Sequence, residues 1–432
     1  MEKSIHRLTF YHPVVEKIAN CLEEAFIVGG FVRDRILGVR KDVVDIDIVI
    51  TKGSLAKAQE CLSRVLKVKP FCIRRRVLRF TGENWQVDVS EIKGSNLEED
   101  LRSRDFTVNA IAVSLNQVVS PLSHTAELFD PTDGLKDLWV GLIRLASPTA
   151  IKDDPLRILR GVRLKLELSF SFHRDFVKES SKHAVALKSV PGSRLGEELT
   201  RILKVSPLHK ALKELQEVSA LEPVFGKVKG VEKALLRVKR LEEEVFPLKE
   251  ELFDESLTLH LAGEILPSFT RYDCLKLITF HADSEPERVA QILKNLGFGK
   301  KSSKMARVIL ENIELVRRLK RLSEDSITYK EMAYRFFSGA KSLVPCVLML
   351  FLSESESIKT TIPFVKKLSA LYVEKFKNLQ PLLTGCEIAK LKNLTKPHRC
   401  IGKIKSHLLK LQALGTISTR EEAKRFVLSF KC

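Results

Sequence analysis

The stretch AFIVGGFVRDRILGVRKDVVDIDIVI, residues 25–50, decides the reading of the chain. A short apolar run, Ala25 to Val28, ends in Gly29 and Gly30. Two glycines at a strand end let the backbone turn sharply and bring N–H groups against a ligand. A helix opening near Phe31 would add its positive N-terminal end, and Arg33 a fork of donors for a phosphate. Most such glycine pairs are only turns, and no GxxxxGK[ST] exists in the chain, which excludes a Walker loop. The second half of the stretch changes the balance. Asp45 and Asp47 are separated by one residue inside an apolar strand. On a strand, residues i and i+2 face the same way. Two carboxylates side by side repel unless a cation holds them, and Mg²⁺ bound by one or two carboxylates plus substrate phosphates is the natural occupant. A pair of solvent-facing aspartates would be the commoner reading without the glycine turn upstream.

Working outward, β-rich runs AFIVGG, DIDIVIT, CIRRRVLRF and WQVDVSEI predict strands, with helices between them at Val14 to Glu24 and Ser54 to Leu66. Asp88, on the WQVDVSEI strand, is a third acid that a neighbouring strand could bring to the same cluster; a plain surface acid is an equal reading. From Asp153 onward the pattern turns almost wholly helical, as in MARVILENIELVRRLKRL. The expected architecture is a mixed α/β head followed by helices.

The helical part opens with Asp153-Asp154-Pro155-Leu156-Arg157 and continues to Arg160 and Arg163. Asp154 and Pro155 read as N-cap and first helical residue. Arg157, Arg160 and Arg163 form an inclined ridge, and from Asp154 to Arg163 the helix would rise about 13–14 Å. That length suits a nucleotide lying along it. Spaced arginines are ordinarily a solvated face, but here an acid heads the ladder. A carboxylate accepts from the amino group of cytosine or adenine, while a guanidinium donates to the ring acceptors. Uracil or guanine would set a carbonyl against the carboxylate, at a cost of roughly 1–3 kcal/mol. Asp154 and Arg157 could so select C or A without a template.

Composition agrees with a polyanionic partner. The 432 residues carry 73 Lys/Arg against 54 Asp/Glu, a net +19. From Phe351 to Cys432 there are 16 Lys/Arg and six Asp/Glu, so about half of the surplus lies in the last fifth. This is either a solvated surface or a groove for a phosphate backbone. No uninterrupted apolar run approaches the roughly 18 residues of a membrane span, and the N-terminus lacks the apolar block of a signal peptide. The expectation is a soluble, cytoplasmic protein without a membrane partner. Eight cysteines include no CxxC pair; His398 near Cys400 comes closest to a metal pattern, and reduced thiols are the simple reading.

Taken in order, GGFVRD, DID, RSRDFTVNAIA at Arg102 to Ala112, and DDPLRILRGVR resemble the class II tRNA nucleotidyltransferase and bacterial poly(A) polymerase family. LFDPTDGLKD from Leu128 and the segments at Leu383-Thr384-Gly385 and Thr419 to Ala423 are similar to it too. Ser103 stands where the family usually has an arginine, and Asp153 where it has glutamate. Residues from about 225 to 350 match poorly.

The resemblance implies an α+β fold: a polymerase-β-like nucleotidyltransferase head with a mixed sheet over residues 1–140, then an all-helical neck (141–205), body (206–350) and basic tail (351–432). It implies Mg²⁺ held by Asp45 and Asp47, with Asp88 as the third catalytic acid. Gly29, Gly30, Arg33, Arg104, Asp105 and Asn109 would line the nucleotide. Asp154 and Arg157 would read the base, while Arg160 and Arg163 would support the nucleotide. The partners implied are CTP and the acceptor arm and TΨC region of tRNA. Relatives that add the terminal A carry a flexible segment after the third-acid strand. Here only VSEIKGSNLEED separates Asp88 from Leu101. That shortness resembles enzymes that add only the two cytidines (CC), a separate enzyme adding A afterwards. The alternatives are full CCA addition, poly(A) addition, or a catalytically inactive RNA-binding protein.

Overall fold

The computed structural model describes residues 10–72, 77–118, 126–394 and 399–431. Its first elements are α1 (Pro13–Ala19), β1 (Glu24–Val28), α2 (Gly30–Ile36), β2 (Val44–Lys52) and α3 (Leu55–Leu66). α1 stops at Ala19, short of the helix expected to Glu24, because the chain turns there into β1. α3 starts where Ser54 caps it, its side chain accepting from Lys57 N. The single strand expected at CIRRRVLRF is instead a pair, β3 (Phe71–Cys72) and β4 (Val77–Thr81), running antiparallel. Residues 73–76 and His398 lie outside the described residues. β5 (Trp85–Glu91), α4 (Leu97–Arg102), β6 (Ala112–Ser114) and β7 (Leu128–Phe129) follow.

The seven strands form one mixed sheet in the order β3-β4-β5-β2-β1-β6-β7. Only the β2–β5 pairing within it is parallel. Alternation along the strands divides the two faces. Ile27, Ile46, Ile48, Val87 and Val89 point to one face and are almost wholly buried. Val28 and Val49 point to the other and join a cluster with Leu101, Ala110, Ala112 and Ala146. Asp47 lies between Val28 and Asp88 in the strand register, so the acids stand at the margin of this second apolar cluster.

Two units emerge from the packing. One holds Met1–Val190 with Glu214–Val224; the other holds Pro191–Lys213 with Phe225–Cys432. The second is helical as expected, apart from a small hairpin of Glu264–Leu266 with Phe269–Thr270. Leu383, Ile388, Ile404, Leu408 and Val427 form a separate buried cluster near its C-terminal end.

One sequence expectation needs correction. Cys21 and Cys61 are joined in a disulfide, with Cα atoms 5.5 Å apart, and Cys400 is disulfide-bonded too. Packing of α1 against α3 brings together sulfurs 40 residues apart in sequence, which spacing could not reveal. Cys274 and Cys346 are buried thiols, and burial pushes both up, Cys346 to about 12. The segment nearest to a membrane span in length is interrupted by Lys330, Glu331, Arg335 and Lys341. Helical residues Ile327–Glu354 together make a 28-residue segment long and apolar enough to cross a membrane, although 72% of its most apolar window is buried inside the protein. Every residue from Val344 to Ser353 is buried, so these side chains form the core of the helical unit.

That core holds a pH-sensitive group. His281 is 2% exposed and lies against Phe225 and Phe280, and neither ring nitrogen has a hydrogen-bond partner among the described residues. Burial, with Arg288 adding, lowers its pKa to about 4. The unfolded chain, with a histidine near 6.5, therefore takes up a proton before the folded one does. The stabilisation is complete above pH 6.5 and drains away as pH falls toward 4, by roughly 1.4 kcal/mol per pH unit. Urea midpoints at pH 7, 6 and 5 should show wild type losing stability relative to His281→Leu as acidity increases. Parallel curves for the two proteins would remove His281 as the cause.

Candidate active site

The parallel register of β2 and β5 builds the centre of the site. Asp45 stands opposite Gln86, and Asp47 opposite Asp88. Residues paired across neighbouring strands share a face, so the third acid falls beside the first two. One oxygen from each of Asp45, Asp47 and Asp88 lies within 4.8 Å of the others. Gln86 Nε2 donates to Asp45 Oδ1 at 2.7 Å. Arg79, opposite Asp88 on β4, donates to both of its oxygens at 2.7 and 2.5 Å. Burial raises the Asp47 pKa to about 6; Asp45 and Asp88 push the same way, while Arg104 and Arg160 oppose them. Asp45 is raised as well, first by burial and then by Asp88, against its bond from Gln86. Three hard oxygen donors crowded together fit a divalent cation of the Mg²⁺ kind. Such an ion would be held by Asp45 and Asp47, with Asp88 alongside.

Gly29 and Gly30 form the turn that faces these acids. Gly29 has φ +79° and ψ −146°, and a Cβ there would sit 2.8 Å from Asp47 Oδ2 and 3.5 Å from Arg104 Nη1. Only glycine accepts that backbone and that proximity. α2 begins at Gly30, one residue earlier than expected. Its Arg33 is buried, and the fork expected to grip a phosphate bonds within the protein: Nε and Nη2 donate to Asp34 Oδ1, and Nη1 to Asn109 Oδ1 at 2.7 Å.

From Arg33 a polar chain crosses to the next helix. Asn109 Nδ2 donates to Asp105 Oδ1 at 3.2 Å, and Asp105 Oδ2 is 2.9 Å from Arg160 Nη2. Burial alone would raise the Asp105 pKa, but Arg160, the Asn109 bond, Arg157 and the Phe106 N–H together hold it below the ordinary value. Arg104 donates through Nε and Nη2 to Asp100 Oδ2 at 3.2 Å each, which keeps its guanidinium beside Gly29 and Asp47. The helices that follow include α5 (Gly134–Val140), α6 (Ala150–Asp153) and α7 (Arg157–Leu168). α7 opens two residues later than the sequence suggests, because Arg157 N and Ile158 N close tight turns onto Asp154 O and Pro155 O. The capping function survives in another form, since Asp154 Oδ1 accepts from Leu156 N at 3.2 Å.

The arginine ladder is present but its members differ. Arg157 donates to the Ala150 and Ser103 carbonyls at 3.1 and 2.9 Å. Arg160 pairs with Asp105, and Arg163 Nη1 donates to Glu167 at 2.9 Å. A cavity of about 550 Å³ gathers Gly30, Arg33, Asp45, Asp47, Asn109, Arg160 and Arg163, with Arg35, Arg40 and Lys41 adding positive charge. Asp88, Arg104, Asp105, Asp154 and Arg157 are not among the residues that line it. Sequence reasoning missed Arg79, Gln86 and Asp100. Gln86 carried a usable signal, because it precedes Asp88 by two residues on the same strand and so shares its face. Arg79 and Asp100 had none, since their partnerships depend on strand pairing and on the turn after α4.

This arrangement has the donors and the charge to hold a polyphosphate beside a divalent cation. Residues 64–144 match a family described as poly A polymerase head domain, and residues 169–232 match a probable RNA- and SrmB-binding site of polymerase A. A CC-adding tRNA nucleotidyltransferase of Shouchella clausii is 34% identical over 204 residues, 47% of this chain and 50% of that protein. The chain spans about half the length of the first curated relatives it matches. An A-adding tRNA nucleotidyltransferase of Halalkalibacterium halodurans is 26% identical over 96% of this chain and 90% of its own. The solved Thermotoga maritima CCA-adding enzyme complexed with tRNA has the same fold, with a TM-score of 0.65 at 22% identity over 96% and 94% of the two chains. Its head and RNA-binding segments are thus similar, in order, to those of tRNA nucleotidyltransferases and poly(A) polymerases.

Proposed function

We propose that this protein is an enzyme that adds cytidines, without a template, from CTP to the 3′ end of immature tRNA. The observation that carries the reading is the acid cluster of Asp45, Asp47 and Asp88, whose first two members line a cavity otherwise rich in arginine and lysine. The reaction joins the terminal 3′-oxygen of the RNA to the α-phosphorus of CTP and releases pyrophosphate. Mg²⁺, one or two ions held by Asp45 and Asp47 with Asp88, would supply Lewis acidity at the phosphate and a more acidic attacking hydroxyl. Arg104, Arg160 and Arg163 meet the triphosphate and ribose, with Arg33, bonded to Asp34 and Asn109, adding charge at the cavity wall and Asp105 and Asn109 keeping donors in place. Gly29 and Gly30 let the backbone approach.

Asp154 and Arg157 read the base. Arg157 has five N–H donors, of which the two carbonyls take two, and those bonds fix its plane. Cytidine specificity is favoured by the link from β5 to α4, which is only residues 92–96 long. A link that short limits how far the neighbouring pocket can be reshaped for adenine. The helices beyond the head act as neck, body and basic tail over residues 141–205, 206–350 and 351–432, the last two holding the acceptor arm and TΨC region of tRNA. In this reading the protein is cytoplasmic and a separate A-adding enzyme completes the product.

Incubation with tRNA lacking its 3′ CCA and with each labelled nucleotide singly and in mixture tests the reading. Labelling by CTP alone, stopping after two residues, is the expected result. Growth to CCA would replace the specificity, long A tails would favour a poly(A) polymerase, and no incorporation with any nucleotide and Mg²⁺ would leave an RNA-binding protein.

A further inference from the structure

Arg79, Asp88 and Asp47 stand in one row across β4, β5 and β2, each directly opposite the next. The Arg79 fork occupies both oxygens of Asp88, whose side chain is 14% exposed against 34% for the arginine. Its charge also reaches the other acids, lowering the Asp45 pKa against the effect of burial. Nothing in the reaction needs an arginine behind the third acid, yet a bidentate pair is the most directional contact a carboxylate can make.

We propose that Arg79 is a positioning residue acting through Asp88: it sets the orientation of the third acid and moderates the negative potential that a divalent cation meets. The inference rests on the nucleotidyltransferase reading. With Arg79 in place the four groups carry a net charge of −2 when all three acids are ionised; without it they carry −3. A cation arriving at the cluster shares Asp88 with a guanidinium, so Asp45 and Asp47 contribute more of its binding than Asp88 does. Removing the arginine therefore has two opposed effects. It deepens the attraction for the cation, and it frees the Asp88 carboxylate to rotate away from the productive position.

The test uses the full-length protein with Mn²⁺ as probe, its binding followed by electron paramagnetic resonance, alongside steady-state CTP addition to tRNA lacking CCA. Arg79→Ala should bind Mn²⁺ several-fold more tightly than wild type. Its kcat should fall about 10- to 100-fold, with KM for CTP and for tRNA within about twofold. Arg79→Lys keeps the charge but not the fork, so Mn²⁺ affinity should return to the wild-type value while kcat stays low. Wild-type kcat and Mn²⁺ affinity in Arg79→Ala would overturn the proposal. A lowered melting temperature with Mn²⁺ affinity unmoved would also overturn it, by leaving Arg79 a merely structural role. If Arg79→Ala does not fold, Arg79→Lys decides: full kcat would overturn the proposal, low kcat with unchanged Mn²⁺ affinity would support it. Failure of the underlying reading is distinct, because wild type would then neither bind Mn²⁺ nor extend tRNA.

Discussion

Asp47→Asn should lower nucleotide addition by at least about 10³-fold while leaving RNA affinity within about twofold. The substitution preserves shape and the position on β2 but removes one of the two charges on which the cation depends. It should also stabilise the cation-free protein. Asp47 has its pKa raised from 3.8 to about 6 by burial first, with Asp45 and Asp88 adding. An acid that ionises more readily unfolded than folded opposes folding: the cost is absent below the unfolded pKa, grows between about 4 and 6, and is complete at pH 7. Its magnitude is roughly 3 kcal/mol at most. Thermal melts in chelator at pH 7 should therefore place Asp47→Asn above wild type, with the gap closing toward pH 4. Added Mg²⁺ should raise wild type and leave the variant unmoved. A variant that turns over normally, or melts below wild type in chelator at pH 7, would remove Asp47 from the centre of the site.

Gly29→Ala carries the second large effect. At φ +79° and ψ −146° a Cβ is strained, at a cost of about 1–3 kcal/mol. Its 2.8 Å approach to Asp47 Oδ2 forces either the carboxylate or the turn to move. A displacement of about 1 Å at a reacting centre is worth about 10²-fold in rate, and the loss should appear in kcat rather than in tRNA binding. Gly30→Ala is the control. Its backbone is helical, and the nearest group its Cβ would meet is Arg33 Nη2 at 3.5 Å, an ordinary contact. Gly30→Ala should retain activity within about tenfold. Equal kcat values for the two variants would show that the close approach to Asp47 has no bearing on turnover.

Stability conferred by Asp47→Asn and lost in Gly29→Ala would have a common origin. The fold holds three carboxylates closer than they would settle without a counter-ion, and the glycine turn lets the backbone come against them. Arg79 and Gln86 offset part of that crowding, by bonds to Asp88 and Asp45.

Much of this site was legible because its signals are local. Asp45 and Asp47 share a face through the two-residue period of a strand, and Gly29 with Gly30 mark a strand end, whatever the strand order. Asp88 was ambiguous until β5 was seen beside β2, because a strand's neighbour is chosen by packing far along the chain. The arginine ladder was visible as spacing, yet spacing could not show that Arg33 bonds to Asp34 and Asn109, or Arg157 to two carbonyls. The tight turns that delay α7 to Arg157 and the Cys21–Cys61 disulfide were hidden for the same reason.

By itself the sequence determined the division into a strand-bearing head and helical remainder, the turn, the acid pair, and the positive charge suited to RNA. These follow from side-chain periodicity, glycine's backbone freedom and net charge, all properties of neighbouring residues or of composition. Only the tertiary structure decided which strand lies beside which, and hence that Asp47, Asp88 and Arg79 form one row. Strand pairing is settled by burial of apolar faces contributed from distant segments, and no local pattern encodes it.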